Sequence, residues 1–162
     1  MGKVARSSLL LIATFAVLAF AGAAAATSGA HFFSTSESIN AGGSLVVSWD
    51  EAGVGQQTVA YTLTANGSAT YACLNGGGNH PQAANKATFA GPVSASGSFP
   101  ATKNGRVTGT LTAGPPGSGS FSCPGGQTLV LASVSYTSIT LTDNTNGVTV
   151  SLADTSRTFF NV

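Results

Sequence analysis

Leu45-Val46-Val47-Ser48-Trp49 and Val59-Ala60-Tyr61-Thr62-Leu63-Thr64 are the stretches that decide the fold. In each, the large apolar side chains recur at every second residue, the period of a strand with one buried face, and no long window shows helical spacing. Working outward, the same alternation returns at Val107 and Leu111, at Leu129 and Leu131, at Val134 and Tyr136, at Ile139 and Leu141, and at Val148, Val150 and Leu152. Its phase changes near Ala132-Ser133 and again near Thr137-Ser138, which predicts bulges or a strand that switches sheets. Asn-Gly pairs stand at Asn66-Gly67, Asn75-Gly76, Asn104-Gly105 and Asn146-Gly147. This pair favours tight hairpins because both residues tolerate positive φ. The last pair predicts a hairpin joining about Ser138 to Thr142 with Val148 to Leu152. Two stretches read as long surface loops, Leu74 to Asn85 and Gly114 to Gly119.

About eight or nine short strands punctuated by turn signals predict an all-β fold, an antiparallel β-sandwich of immunoglobulin-like or Greek-key type. Trp49 precedes both cysteines, whereas immunoglobulin domains place the Trp between them, so the topology need not be that one.

The first residues predict export. Lys3 and Arg6 precede an apolar run from Leu9 to Phe20, followed by small residues with Ala24-x-Ala26 as a cleavage site. That run is shorter than a membrane span, and the pattern is that of a secretory signal peptide over residues 1–26, leaving one domain over 27–162 and a secreted, extracellular product. The two cysteines, Cys73 and Cys123, then read as a disulfide. Each shares a strand face with an aromatic neighbour, Tyr71 or Phe121. A zinc site would want four ligands, and the chain has only two histidines, His31 and His80. No metal or other cofactor is expected.

Charged residues make up 7% of the chain. With a net charge of +1 there is no basic footprint for nucleic acid. Beyond Ala26 only four basic and five acidic residues remain, beside 18 Ser and 19 Thr, so hydroxyls and amides carry the solubility. Catalytic material is correspondingly scarce. His80 is the one plausible triad histidine, and it reads as a loop residue. Asp50-Glu51, Asp143 and Asp154, with Glu37, are the stock for a carboxylate pair, but neighbouring strand residues point to opposite faces. Asp50 and Glu51 read as solvated turn carboxylates. Thr-x-Thr patterns at Thr62 and Thr64, Thr108 to Thr112, and Thr140 and Thr142 raise ordered water or ice as a partner. Such a surface needs Thr stacked at constant spacing on a flat sheet, whereas these sit at irregular intervals on a twisted one, which favours β-branched residues simply filling solvent faces. Trp49, Tyr61 and Tyr71 fall in phase with the core rather than forming a sugar-stacking platform.

The segments Ala69-Thr70-Tyr71-Ala72-Cys73, Asn85-Lys86, Gly91-Pro92-Val93, Phe121 to Gln127 and Val134-Ser135-Tyr136-Thr137 resemble those of small secreted actinobacterial proteins of uncharacterised function. The likeness implies export and supplies no active site. In composition the chain is also similar to the enediyne-carrying apoproteins, small sandwiches with few charges, which hold two disulfides where this chain can hold one. The expected function is a monomeric secreted binding or surface-interaction module rather than an enzyme, its partner a glycan, a protein or a small molecule. Asn75, Asn79, His80, Gln82, Asn85 and Lys86 of the long loop are the candidate contacts. The alternatives are a protease-inhibitor-like or hydrolytic effector using an exposed loop such as Ser122-Cys123-Pro124, and a carrier of a small apolar ligand.

Overall fold

The computed structural model describes residues 29–76 and 85–162; the predicted leader and most of the first long loop lie outside them. The chain runs β1 (His31–Ile39), β2 (Leu45–Ala52), β3 (Thr58–Asn75), β4 (Lys86–Pro100), β5 (Arg106–Ala113), β6 (Gln127–Asp143), β7 (Val148–Ser151) and β8 (Thr155–Thr158). All pairings are antiparallel. One sheet has the order β1-β2-β5; the other has the order β4-β3-β6-β7, with β8 also pairing β6. The two sheets bury a common core in the manner of a sandwich, as the alternation predicts.

Leu45, Val47 and Trp49 from β2 meet Val59, Tyr61 and Leu63 from β3, and Tyr136, Ile139 and Leu141 from β6 complete the core. Trp49 packs tilted against Tyr61 and edge-on to Phe99, with ring centroids 4.6 and 5.0 Å away. Gly109 lies across from Trp49 because a Cβ there would stand 2.5 Å from the indole.

The hairpin at Asn146-Gly147 forms as predicted, with Thr140 to Asp143 opposite Val148 to Ser151 and Gly147 at φ 73°. The phase changes in β6 are bulges within one strand. Its register against β3 slips between Thr70 and Tyr71, opposite Ala132, and between Thr64 and Asn66, opposite Ser138. Ser138 takes φ 52° there.

Asn66-Gly67 is not a turn; it runs through the middle of β3. Gly67 faces inward where Pro116 crosses, and a Cβ would come within 2.8 Å of that ring. Tyr71 holds the same crossing, its hydroxyl donating to the Pro116 carbonyl at 2.8 Å.

The disulfide Cys73–Cys123 is formed, with Cα atoms 5.6 Å apart. Cys73 lies on β3 as expected. Cys123 lies in the connection between β5 and β6 rather than on a strand, in a proline-rich stretch short of ladder donors. Among the described residues no helix is long and apolar enough to cross a membrane.

Candidate functional site

Three of the six loop candidates fall within the described residues; Asn79, His80 and Gln82 lie outside them. Asn75 ends β3 and accepts a hydrogen bond from Gln127 Nε2 at 2.8 Å. The Asn85 carbonyl accepts from the Cys73 amide at 3.1 Å, and Lys86 opens β4 with its ammonium donating to the Val162 carbonyl at 3.1 Å. Lys86 borders a polar groove of about 430 Å³, shared with Thr70, Thr88, Ser133, Thr158 and Asn161.

Those hydroxyls open onto a larger feature. The outward face of the five-stranded sheet carries four cross-strand rows: Ser96-Thr62-Thr142-Thr149, Ser94-Thr64-Thr140-Ser151, Ala90-Ser68-Ser135-Ser156 and Thr88-Thr70-Ser133-Thr158. Each row runs four strands wide. The bulge at Ser138 separates the first two rows from the last two, with Pro92-Asn66-Thr137 between them. Every side chain in the rows is at least partly exposed, none is charged and none is aromatic. Neighbouring hydroxyls bond one another, Thr64 to Thr140 at 2.7 Å, Thr70 to Thr88 at 2.9 Å, Thr142 to Thr149 at 3.0 Å and Thr62 to Ser96 at 3.2 Å. Of the Thr positions that look irregular along the sequence, Thr62, Thr64, Thr140 and Thr142 come into register in space, whereas Thr108, Thr110 and Thr112 lie on the other sheet opposite Asp50, Ser48 and Val46. Pairing of distant strands supplies an order that no local spacing carries.

The carboxylates divide differently from expectation. β2 continues through Ala52, so Asp50 and Glu51 are strand residues and not turn residues, Asp50 opposite Thr108 and Glu51 opposite Val107. Asp50 takes both Nε and an Nη of Arg106. Arg106 in turn lies over the exposed ring of Phe33, 5.1 Å from its centroid. Glu51 points the other way and is fully buried. Its Oε2 accepts from the Tyr61 hydroxyl at 2.6 Å, while Oε1 has no partner. Burial pushes the Glu51 carboxyl up to about 7; the Tyr61 hydrogen bond opposes this and the nearby Asp143 adds to it. Burial also raises the Tyr61 phenol.

Asp143, one of the carboxylates available for a catalytic pair, is buried as well. Three N–H donors converge on it: the Thr145 amide at 2.7 Å, the Asn146 amide at 2.9 Å and Asn146 Nδ2 at 2.6 Å. Asp143 thus organises the β6–β7 turn from inside. Glu51 and Asp143 are both enclosed within the fold. Among the described residues no three His, Cys, Asp or Glu side chains gather as a metal site would require.

No protein-family model, curated protein or solved structure matches this chain.

The hydroxyl rows were open to sequence reasoning only in part: the outward phase of Thr62, Thr64, Thr140 and Thr142 follows from alternation, but their alignment needs the strand register. A smaller apolar groove, about 330 Å³, lies between Ala41, Gly42, Val130, Leu131 and the rings of Phe159 and Phe160.

Proposed function

We propose that this is an exported, extracellular surface-interaction module that works through the outward face of its five-stranded sheet rather than by catalysis. The observation that carries the reading is the set of four hydroxyl rows, a broad neutral face with Lys86 at its end. Fifteen of its sixteen positions are Ser or Thr, each able to donate once and accept twice. The disulfide is compatible with an oxidising, extracellular setting. The strand orders β1-β2-β5 and β4-β3-β6-β7 support an immunoglobulin-like reading, since variable-type domains likewise extend the second sheet beside its third strand.

The test is retention on insoluble extracellular materials. Wild-type protein is expected to be retained on at least one extended surface, and Thr64→Lys with Thr140→Lys to be released from it with the melting temperature unchanged. Equal retention of this variant, with release on Lys86→Ala and Asn75→Ala instead, would return the contact to the loop. The apolar groove favours a second reading, a carrier of a small apolar ligand. Its measure is saturable uptake of an apolar dye that Leu131→Asp abolishes.

A further inference from the structure

The hydroxyl face permits a narrower assignment that rests on the surface-interaction reading. We propose that the surface it fits is that of ice. Every residue in the rows is short, Ser, Thr or Ala, so no side chain rises far above its neighbours. A face of uniform height suits a flat, rigid partner better than a flexible chain, which would need pockets. Crystalline polysaccharide is also flat, but sugar rings are held chiefly by stacking their C–H faces on aromatic side chains, and the rows contain none. Fixed charges, which would bind their own hydration shell, are missing from them too.

The lattice matters as much as the composition. Within each pair of rows, on either side of the Ser138 bulge, neighbouring strands stand about 4.8 Å apart and outward residues recur about every 6.8 Å along a strand, a spacing close to that of water oxygens on a prism face of ice. The rows are also held in place. In a pair such as Thr64 and Thr140, 2.7 Å apart, one hydroxyl donates to the other, which fixes both rotamers. The accepting hydroxyl keeps its own proton, and both oxygens keep lone pairs, for water above the sheet. Little side-chain entropy is left to lose on contact, and the Thr methyls between the hydroxyls limit the ways in which water can settle.

The purified chain with its disulfide intact is examined in a freezing-point osmometer and in a frozen film. Ice crystals are expected to be shaped into facets, with a gap between melting and growth temperatures and slowed recrystallisation. Thr64→Tyr, which plants a tall ring in the second row, is expected to abolish all three, whereas Thr110→Tyr on the outward face of the other sheet leaves them intact. Unshaped crystals with wild-type protein, or unchanged activity in Thr64→Tyr at an unchanged melting temperature, would overturn the assignment. Unshaped crystals together with Thr64-dependent retention on a polysaccharide would overturn ice and leave the surface reading standing. Neither shaping nor retention on any material would remove both.

Discussion

Glu51 shows how much one side chain can set. It is buried with one oxygen unpartnered, and it faces Tyr61 from β3, Asp143 from β6 and, at longer range, His31 from β1. Burial disfavours the charged carboxylate and the nearby Asp143 adds to this, so the folded state holds a proton on Glu51 more tightly than the unfolded chain does. With the folded value about 7 against an ordinary 4.5, the contribution of Glu51 to stability is fully present below pH 4.5, is lost as pH rises towards 7, and stays lost above. The expected loss is up to about 3 kcal/mol. Melting temperature measured between pH 5 and 8 should fall accordingly, and Glu51→Gln should flatten the profile. A wild-type profile that is already flat would mean that Glu51 titrates normally. From the sequence this residue could not be seen: Asp50-Glu51 followed by Gly53 and Gly55 has the composition of a turn. The inward phase set by Leu45, Val47 and Trp49 carries on to Glu51, and here that phase outweighs the cost of burying a carboxyl.

Among the elements, β6 was the most legible and β4 the least. In β6 the two shifts in apolar phase mark both bulges, because each extra residue inverts the alternation beyond it. The bulge at Ser138 holds a non-glycine residue at φ 52°, a conformation that costs an L-residue about 1 kcal/mol. Ser138→Gly should therefore raise stability by up to about 1 kcal/mol, read from the urea midpoint. β4 also alternates, with Ala87, Phe89, Val93, Ala95 and Phe99 inward. Gly91, Gly97 and the alanines leave that pattern too faint to be recognised against loop composition. β1 and β8 were missed for a related reason: they are sheet-edge segments rich in Ser and Thr, with few apolar residues to mark a buried face. The hydroxyl rows were hidden at this same scale. A row joins residues such as Ser94, Thr64, Thr140 and Ser151, neighbours only after four strands have paired.

For the whole molecule, the all-β class and the disulfide follow from alternation and from cysteine arithmetic, while the division of strands between sheets does not. Cys73–Cys123 encloses a segment with a sequence separation of 50, worth about 4 kcal/mol in the chain-entropy model. Replacing both cysteines by serine should lower unfolding free energy by roughly 2–4 kcal/mol in denaturant titration. An unchanged midpoint would mean that the unfolded chain is already confined in that region. The same bond has a mechanical side. It ties the end of β3 to the threshold of β6, so β4 and β5 lie inside a closed loop. A pull on the two ends of the chain cannot draw that loop out. The oxidised molecule, once unravelled, would be shorter than the reduced one by about 170 Å of extended backbone. Anchored at one end and loaded at the other, it would behave as a short tether under oxidising conditions and a long one after reduction.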